Sequence, residues 1–303
     1  MAKDISVPQI DDILGDSSSR FFGSIYRTAR QDISTHFTST DNLSWSIEGN
    51  ASVTYKSHWG ERHGQQRIPH LSTIDAVLML AQIGRNFYDE AIRLGLCTQT
   101  EEIVIEHVIL RAGPNPDEDL SNMPVSGKIH ISDRTVHASA RIGNMRVGAD
   151  YRIKSTGKHK YNRTADTSIE TPTLNLNNVV VVPDKGRASA TIQTPEPVDS
   201  FSGESLIVAN IIACSQITQA LISSLDGISR EKSNTLWMRK YEAHVTEEPN
   251  NSPLNTAVSI DKHKIVSVGE KSFSTFNVCG NGYSVNCEYS IAHALPSSVS
   301  EGA

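Results

Sequence analysis

The chain is poor in cysteine, and none of its 4 cysteines stands in a CxxC or CxH pattern. That excludes the usual cysteine-based zinc site. Cys214 lies in an apolar stretch, where it is a small hydrophobe. Cys279 and Cys287 could face each other across a hairpin turning at Gly280-Asn281-Gly282, but free thiols in a reducing compartment are the simpler expectation. Positive charge is also short. With 28 Lys+Arg against 34 Asp+Glu, the formal net charge is −6 and the pI about 6.0. A main partner of nucleic acid is excluded on that balance, because phosphate contacts need a basic surface. Uninterrupted apolar runs are missing as well. The most apolar segment, 203–225, is broken by Asn210, Ser215, Gln216, Thr218 and Gln219, and so falls short of a membrane span. The start, MAKDISVPQIDDILG, has no basic residue run leading into an apolar core. A cytoplasmic protein without membrane spans is expected. P-loop, GxGxxG, GxSxG and zinc spacings are all absent, so no cofactor and no metal are expected.

What is present is a repeated order of elements. The 38% hydrophobic content suffices for packed cores in 303 residues. Trp45, Ile47, Ala51, Val53 and Tyr55 alternate with polar residues and predict a half-buried strand. A charged loop, His58 to Arg67, leads to a helix with Ser72 at its N-cap and Gly95 after its end. Strands follow at 102–110, 127–132, 135–142 and 145–154, with turns at Asp133 and Gly143-Asn144. After a polar stretch, strands at 179–182 and 187–193 precede the second helix, 203–225. Further strands are expected at 236–247, 256–260, 264–268, 273–279 and 283–292. Each half reads strand, helix, then several antiparallel strands. The expected class is α+β, a tandem (double) hotdog with each half an antiparallel sheet wrapped around one long central helix. The boundaries expected are an N-terminal segment 1–40, a first module 41–155, a linker 156–173, a second module 174–295 and a tail 296–303.

The entry to the first helix holds the candidate chemistry. Pro69 and Asp75, six residues apart and followed by Ala76, resemble the motif of hotdog dehydratases, with His70 where a glycine usually follows the proline. Those enzymes also use an upstream histidine, and His58 and His63 stand in the loop at unusual distances. A neutral histidine can take a proton next to a thioester carbonyl, and a buried carboxyl with a raised pKa can return one. Ser72 to Asp75 is equally an S-x-x-D capping box, which needs no catalytic role. The second helix offers Glu204 in its first turn and Asn210 in its apolar stretch, the latter more often a satisfied buried amide. Where the superfamily's acid would fall, the chain has Val208. Arg20, Arg62 and Arg67 are candidate anion contacts, and Arg20-Phe21-Phe22-Gly23 is an apolar cluster suited to folding over a pocket.

Arg20-Phe21-Phe22-Gly23, Trp59 and Pro69-His70-Leu71-Ser72-Thr73-Ile74-Asp75 together resemble the bacterial avirulence protein D family. The resemblance implies a biosynthetic enzyme of the kind associated with syringolides, acyl glycosides that elicit plant defence. It implies transfer of a β-ketoacyl group, carried as a coenzyme A or acyl carrier protein thioester, to a keto-sugar such as xylulose. The A-factor synthase family performs a related acyl transfer to a three-carbon sugar phosphate. On this reading His70, Asp75 and His63 are catalytic. Arg20, His58, Trp59, Arg62, Arg67, Ser72, Glu204 and Asn210 bind substrate. A 3-hydroxyacyl thioester dehydratase or hydratase, a non-catalytic acyl-binding double hotdog, and an effector acting inside a host cell are the alternatives. Either a monomer or a homodimer is compatible.

Overall fold

The structure, a computed structural model, describes residues 3–56, 59, 61–62, 65–155, 171–196, 201–228, 236–246, 254–269 and 271–295. The chain opens with β1 (Ile5–Gln9), a short helix α1 (Asp11–Leu14), and then β2 (Ala29–Asp41) and β3 (Ser44–Tyr55). A two-stranded ribbon, β4 (Glu61–Arg62) and β5 (Gln65–Gln66), precedes α2 (Thr73–Arg93). The strands β6 (Glu101–Arg111), β7 (Met123–Ser132), β8 (Thr135–Ile142) and β9 (Met145–Ser155) complete the first half. The second half runs β10 (Asn175–Val182), β11 (Arg187–Gln193), α3 (Gly203–Leu225), β12 (Leu236–Val245), β13 (Asn255–Val268), β14 (Lys271–Gly282) and β15 (Val285–Ala294).

The expectation of a separate sheet for each half is corrected. One antiparallel sheet of 13 strands runs through the molecule in the order β1-β10-β11-β13-β14-β15-β12-β6-β9-β8-β7-β3-β2. Read outward from the centre, the halves are the same: β6-β9-β8-β7-β3-β2 on one side and β12-β15-β14-β13-β11-β10 on the other. The two joining strands, β6 and β12, are the strands that directly follow each long helix. They pair in antiparallel register from Lys240↔Arg111 to His244↔His107. Each of them also carries a bulge toward its outer neighbour, at Glu106 in β6 facing β9 and at Arg239 in β12 facing β15. The helix starts repeat too. Ser72 and Ser202 are extended N-caps, both with ψ 163°, and each accepts the amide of the third helical residue, Asp75 or Ser205. The two halves thus match in strand order, caps and bulges.

Helix α2 packs on β2, β6, β8 and β9, α3 packs on β10 to β15 and on β6, and the two helices touch. By composition α3 is long and apolar enough to cross a membrane, against the expectation that its polar residues disqualify it; 89% of its most apolar 18-residue window is buried inside the protein, so core packing accounts for its hydropathy.

The first forty residues, expected as a separate segment, belong to both halves. Residues 29–41 form β2, whose inward positions (Ala29, Gln31, Ile33, Thr35, Phe37) alternate with exposed ones, while β1 pairs with β10 at the far edge of the second half. The expected turn at Gly280–Gly282 is also corrected. The strand continues to Gly282↔Val285, and the chain turns at Tyr283 and Ser284, with φ of 55° and 57°. A Cβ at Gly280 would lie 3.0 Å from the sulfurs of Cys214 and Cys287, so this glycine serves the close approach of α3 to the sheet. All 4 cysteines are free, with Cys279 exposed and Cys287 buried on opposite faces.

Candidate functional site

Helix α2 starts where it does because Ser72 and Asp75 satisfy each other's amides. Ser72 Oγ accepts from Asp75 N at 3.1 Å, and the Asp75 carboxylate accepts from Ser72 N at 3.1 Å. The carboxylate does more than close this box. It also accepts from Ser72 Oγ (2.5 Å), Tyr55 OH (2.5 Å) and Gln31 Nε2 (2.6 Å), and the residue is 1% exposed. Burial pushes its carboxyl up from the ordinary value, against the pull of hydrogen bonds from Ser72, Tyr55 and Gln31. None of these bonds reaches His70. Asp75 is therefore a hub that pins α2 to β2 and β3, one layer behind the site.

In front of that hub lies a pocket built by both halves. His70, Leu71, Ser72 and Thr73 form its floor at the N-terminus of α2, the electropositive end of the helix. Gly113 to Asp117, after β6, and Asn144 and Met145, at the start of β9, form one wall. Leu236 to Arg239 from β12 and Ser215 and Gln219 from α3 form the other. Phe21, Phe22, Trp59 and Arg67 close the rim. Trp59 is the keystone there: its ring lies 4.6 Å from Phe21 and 4.1 Å from His70, with the Arg67 guanidinium 5.1 Å above it. The Arg239 guanidinium, on the β12 bulge, donates to Gly113 O at 2.9 Å.

His70 Nδ1 faces Ile68 O at 3.4 Å. A carbonyl can only accept, so Nδ1 carries the proton and Nε2 is the basic nitrogen. Burial first, and Arg67 second, lower the imidazole pKa to about 4, so the ring is neutral at physiological pH.

The polar residues of α3 now sort themselves. Asn210 donates to Gly282 O and Val285 O and accepts from Tyr241 OH. Gln216 accepts from Arg20 at 2.7 Å, and Thr218 bonds Tyr289 OH at 2.6 Å. Ser215 differs: it is 8% exposed, lines the pocket, and its hydroxyl has no partner. A buried hydroxyl without a protein partner costs stability, and this one lies where it can bond a molecule in the pocket. Ser215, Gln219 and Arg239 were missed as site residues; their only signal was polarity inside apolar segments.

The remaining expectations divide. Arg20 lines the pocket, but its guanidinium is held by Asp11, Asp16 O and Gln216, so it ties the N-terminal segment to α3. Glu204 and Asn210 lie away from the pocket, against their reading as substrate contacts; Asn210 is a satisfied core amide, and Glu204 is buried in the first turn of α3. His58 and His63 fall outside the described residues, and of Arg62 only the backbone is described.

A search of curated proteins finds no match. Among solved structures, a conserved protein of unknown function with hot dog fold from Alicyclobacillus acidocaldarius is 7% identical, with 86% of this chain and 96% of that chain covered at a TM-score of 0.41. The dehydratase domain of the polyketide PpsC from Mycobacterium tuberculosis is 10% identical, with the same coverage and TM-score. The pyran synthase domain from module nine of the sorangicin pathway is 9% identical, covering 88% of this chain and 99% of that chain at 0.35. These are distant likenesses. The family model of Pseudomonas avirulence D protein (AvrD) matches residues 5–166 and 156–296, so the chain belongs to that family.

Proposed function

We propose that the chain is a tandem hotdog enzyme that transfers a β-ketoacyl group from a coenzyme A or carrier-protein thioester to a hydroxyl of a small keto-sugar. The reading joins the biosynthetic role implied for the family to the chemistry of the pocket. The observation that carries it is His70: a neutral imidazole with its basic nitrogen left over, at an electropositive helix start, while the half-buried carboxylate that lines the pocket, Asp117, accepts from Asn144 N at 2.7 Å. Dehydration needs an acid to protonate the departing hydroxyl. Asp75, the one buried carboxyl nearby, already accepts from four donor groups behind the pocket wall.

In the proposed step His70 Nε2 takes the proton of the sugar hydroxyl, and the oxygen attacks the thioester carbonyl. The tetrahedral oxyanion is stabilised by the N-terminal end of α2 and by the Arg239 guanidinium. Collapse expels the thiolate, which recovers the proton from His70, giving an ester and a free thiol. Ser215 and Gln219 supply hydroxyl and amide contacts to the sugar. Asp75 keeps Ser72 and the floor rigid, in place of the catalytic role expected of it. At about 150 Å³ the cavity is smaller than the roughly 300–1,000 Å³ of common small-molecule sites. It therefore takes the reacting end of the acyl chain and leaves the tail to the apolar rim, where Trp237 is 38% exposed.

His70→Gln tests the base. Thiol release from a 3-oxoacyl thioester in the presence of xylulose or a three-carbon sugar phosphate should fall by 10²–10⁴-fold, with an unchanged circular-dichroism spectrum. Retained turnover removes His70 from the mechanism.

A further inference from the structure

The sheet face turned away from the helices carries a row of histidines across the join between the halves. His107 on β6 and His244 on β12 are directly opposite in register, and their rings stack at 4.4 Å and 17°. Glu242 lies two residues before His244 on the same strand, hence on the same face. His107 Nε2 stands 3.3 Å from Glu242 Oε1, and ligand atoms from all three residues lie within 4.8 Å of one another.

We propose that His107, Glu242 and His244 form a binding site for a divalent transition metal, zinc first, that clasps the two halves across the β6–β12 seam. Two imidazole nitrogens and one carboxylate oxygen are the donor set of a borderline dication, with a further position left to water. The site also has the outer support that metal-binding histidines need. Asp150, opposite His107 on β9, holds His107 Nδ1 at 3.0 Å and so turns Nε2 toward Glu242. Lys240 occupies the other Glu242 oxygen at 2.5 Å, leaving Oε1 for one-point coordination. His244 is exposed and borders an open groove, which gives the metal a path in. The ligands are 135 residues apart in sequence between His107 and Glu242, which is why no metal spacing is legible in the chain.

The test uses the full chain, stripped of metal by a chelator and titrated with cobalt(II), whose visible d–d absorption reports low-symmetry nitrogen and oxygen ligation. One equivalent should bind, be displaced by zinc, and raise the melting temperature. His244→Ala and Glu242→Gln should each weaken binding at least tenfold, and Asp150→Asn, which leaves all three ligands in place, by about 10–100-fold. His130→Ala, on the same face but outside the cluster, should bind as the parent does. A parent chain that gives no cobalt band, or a His244→Ala chain that gives the parent's band and affinity, overturns the site.

Discussion

His70 carries a pH signature that reports its environment directly. Its folded-state pKa of about 4 lies below the 6.5 of the free side chain. Between those values the unfolded chain binds a proton that the folded chain refuses, so stability rises with pH through this window. The contribution is complete above pH 6.5 and is lost as pH falls toward 4, with an upper bound of about 3 kcal/mol that partial exposure of the ring reduces. Denaturant unfolding of the parent and of His70→Gln over this range should show the slope only in the parent; equal slopes would mean a solvated ring. Asp75 answers differently. Asp75→Ala removes the α2 cap, worth about 1 kcal/mol, and strands the buried donors of Tyr55 and Gln31 at about 1–3 kcal/mol each. A loss of about 3–7 kcal/mol by urea unfolding is expected, with Asp75→Asn milder because one oxygen remains. At Ser215 the two effects separate. Replacing an unpartnered hydroxyl by Ala should leave stability unchanged or raise it by up to about 1 kcal/mol, while turnover falls. A destabilised Ser215→Ala would show that the hydroxyl serves the core.

Both long helices were legible because their signals are local. Ser72, Asp75 and Gly95 bracket α2, and Gly95, with φ 74°, closes it. Strand β3 is read from its alternation, and β8 and β9 from the turns at Asp133 and Gly143-Asn144 that bound them. The strand β2 was not legible, since an edge rich in Ser and Thr has little apolar contrast to read. Gly84 shows what only packing reveals. In the middle of α2 a glycine is ordinarily a defect, worth about 1 kcal/mol to replace by Ala. Here a Cβ would lie 2.7 Å from the Tyr151 ring, whose hydroxyl donates to Leu80 O at 3.1 Å. Gly84→Ala should therefore destabilise the chain, read as a lower melting temperature; an increase would mean that Tyr151 swings aside freely.

At the scale of the molecule, the sheet makes one body of two repeats. Half of the site was readable because His70, Ser72 and Asp75 lie together in sequence. The other half, Ser215, Gln219 and Arg239, enters only when β12 pairs with β6, and no residue pattern announces that pairing. Because the seam is continuous backbone hydrogen bonding through register pairs from Lys240↔Arg111 to His244↔His107, the repeats should unfold together. Fluorescence from Trp45 and Trp237, one in each half and isolated by substituting the other tryptophans, should give coincident transitions; two separate midpoints would show independent domains.

The shared pocket is proposed to move an acyl group to a sugar. Mass spectrometry of the purified chain with a 3-oxoacyl thioester, with and without xylulose or a three-carbon sugar phosphate, tests it most directly. Thiol release that depends on the sugar, with the mass of an acyl-sugar ester appearing, is the predicted result. Gain or loss of water from a 3-hydroxyacyl or enoyl thioester with no sugar present, or a 3-oxoacyl thioester returned unchanged with sugar present, would contradict it.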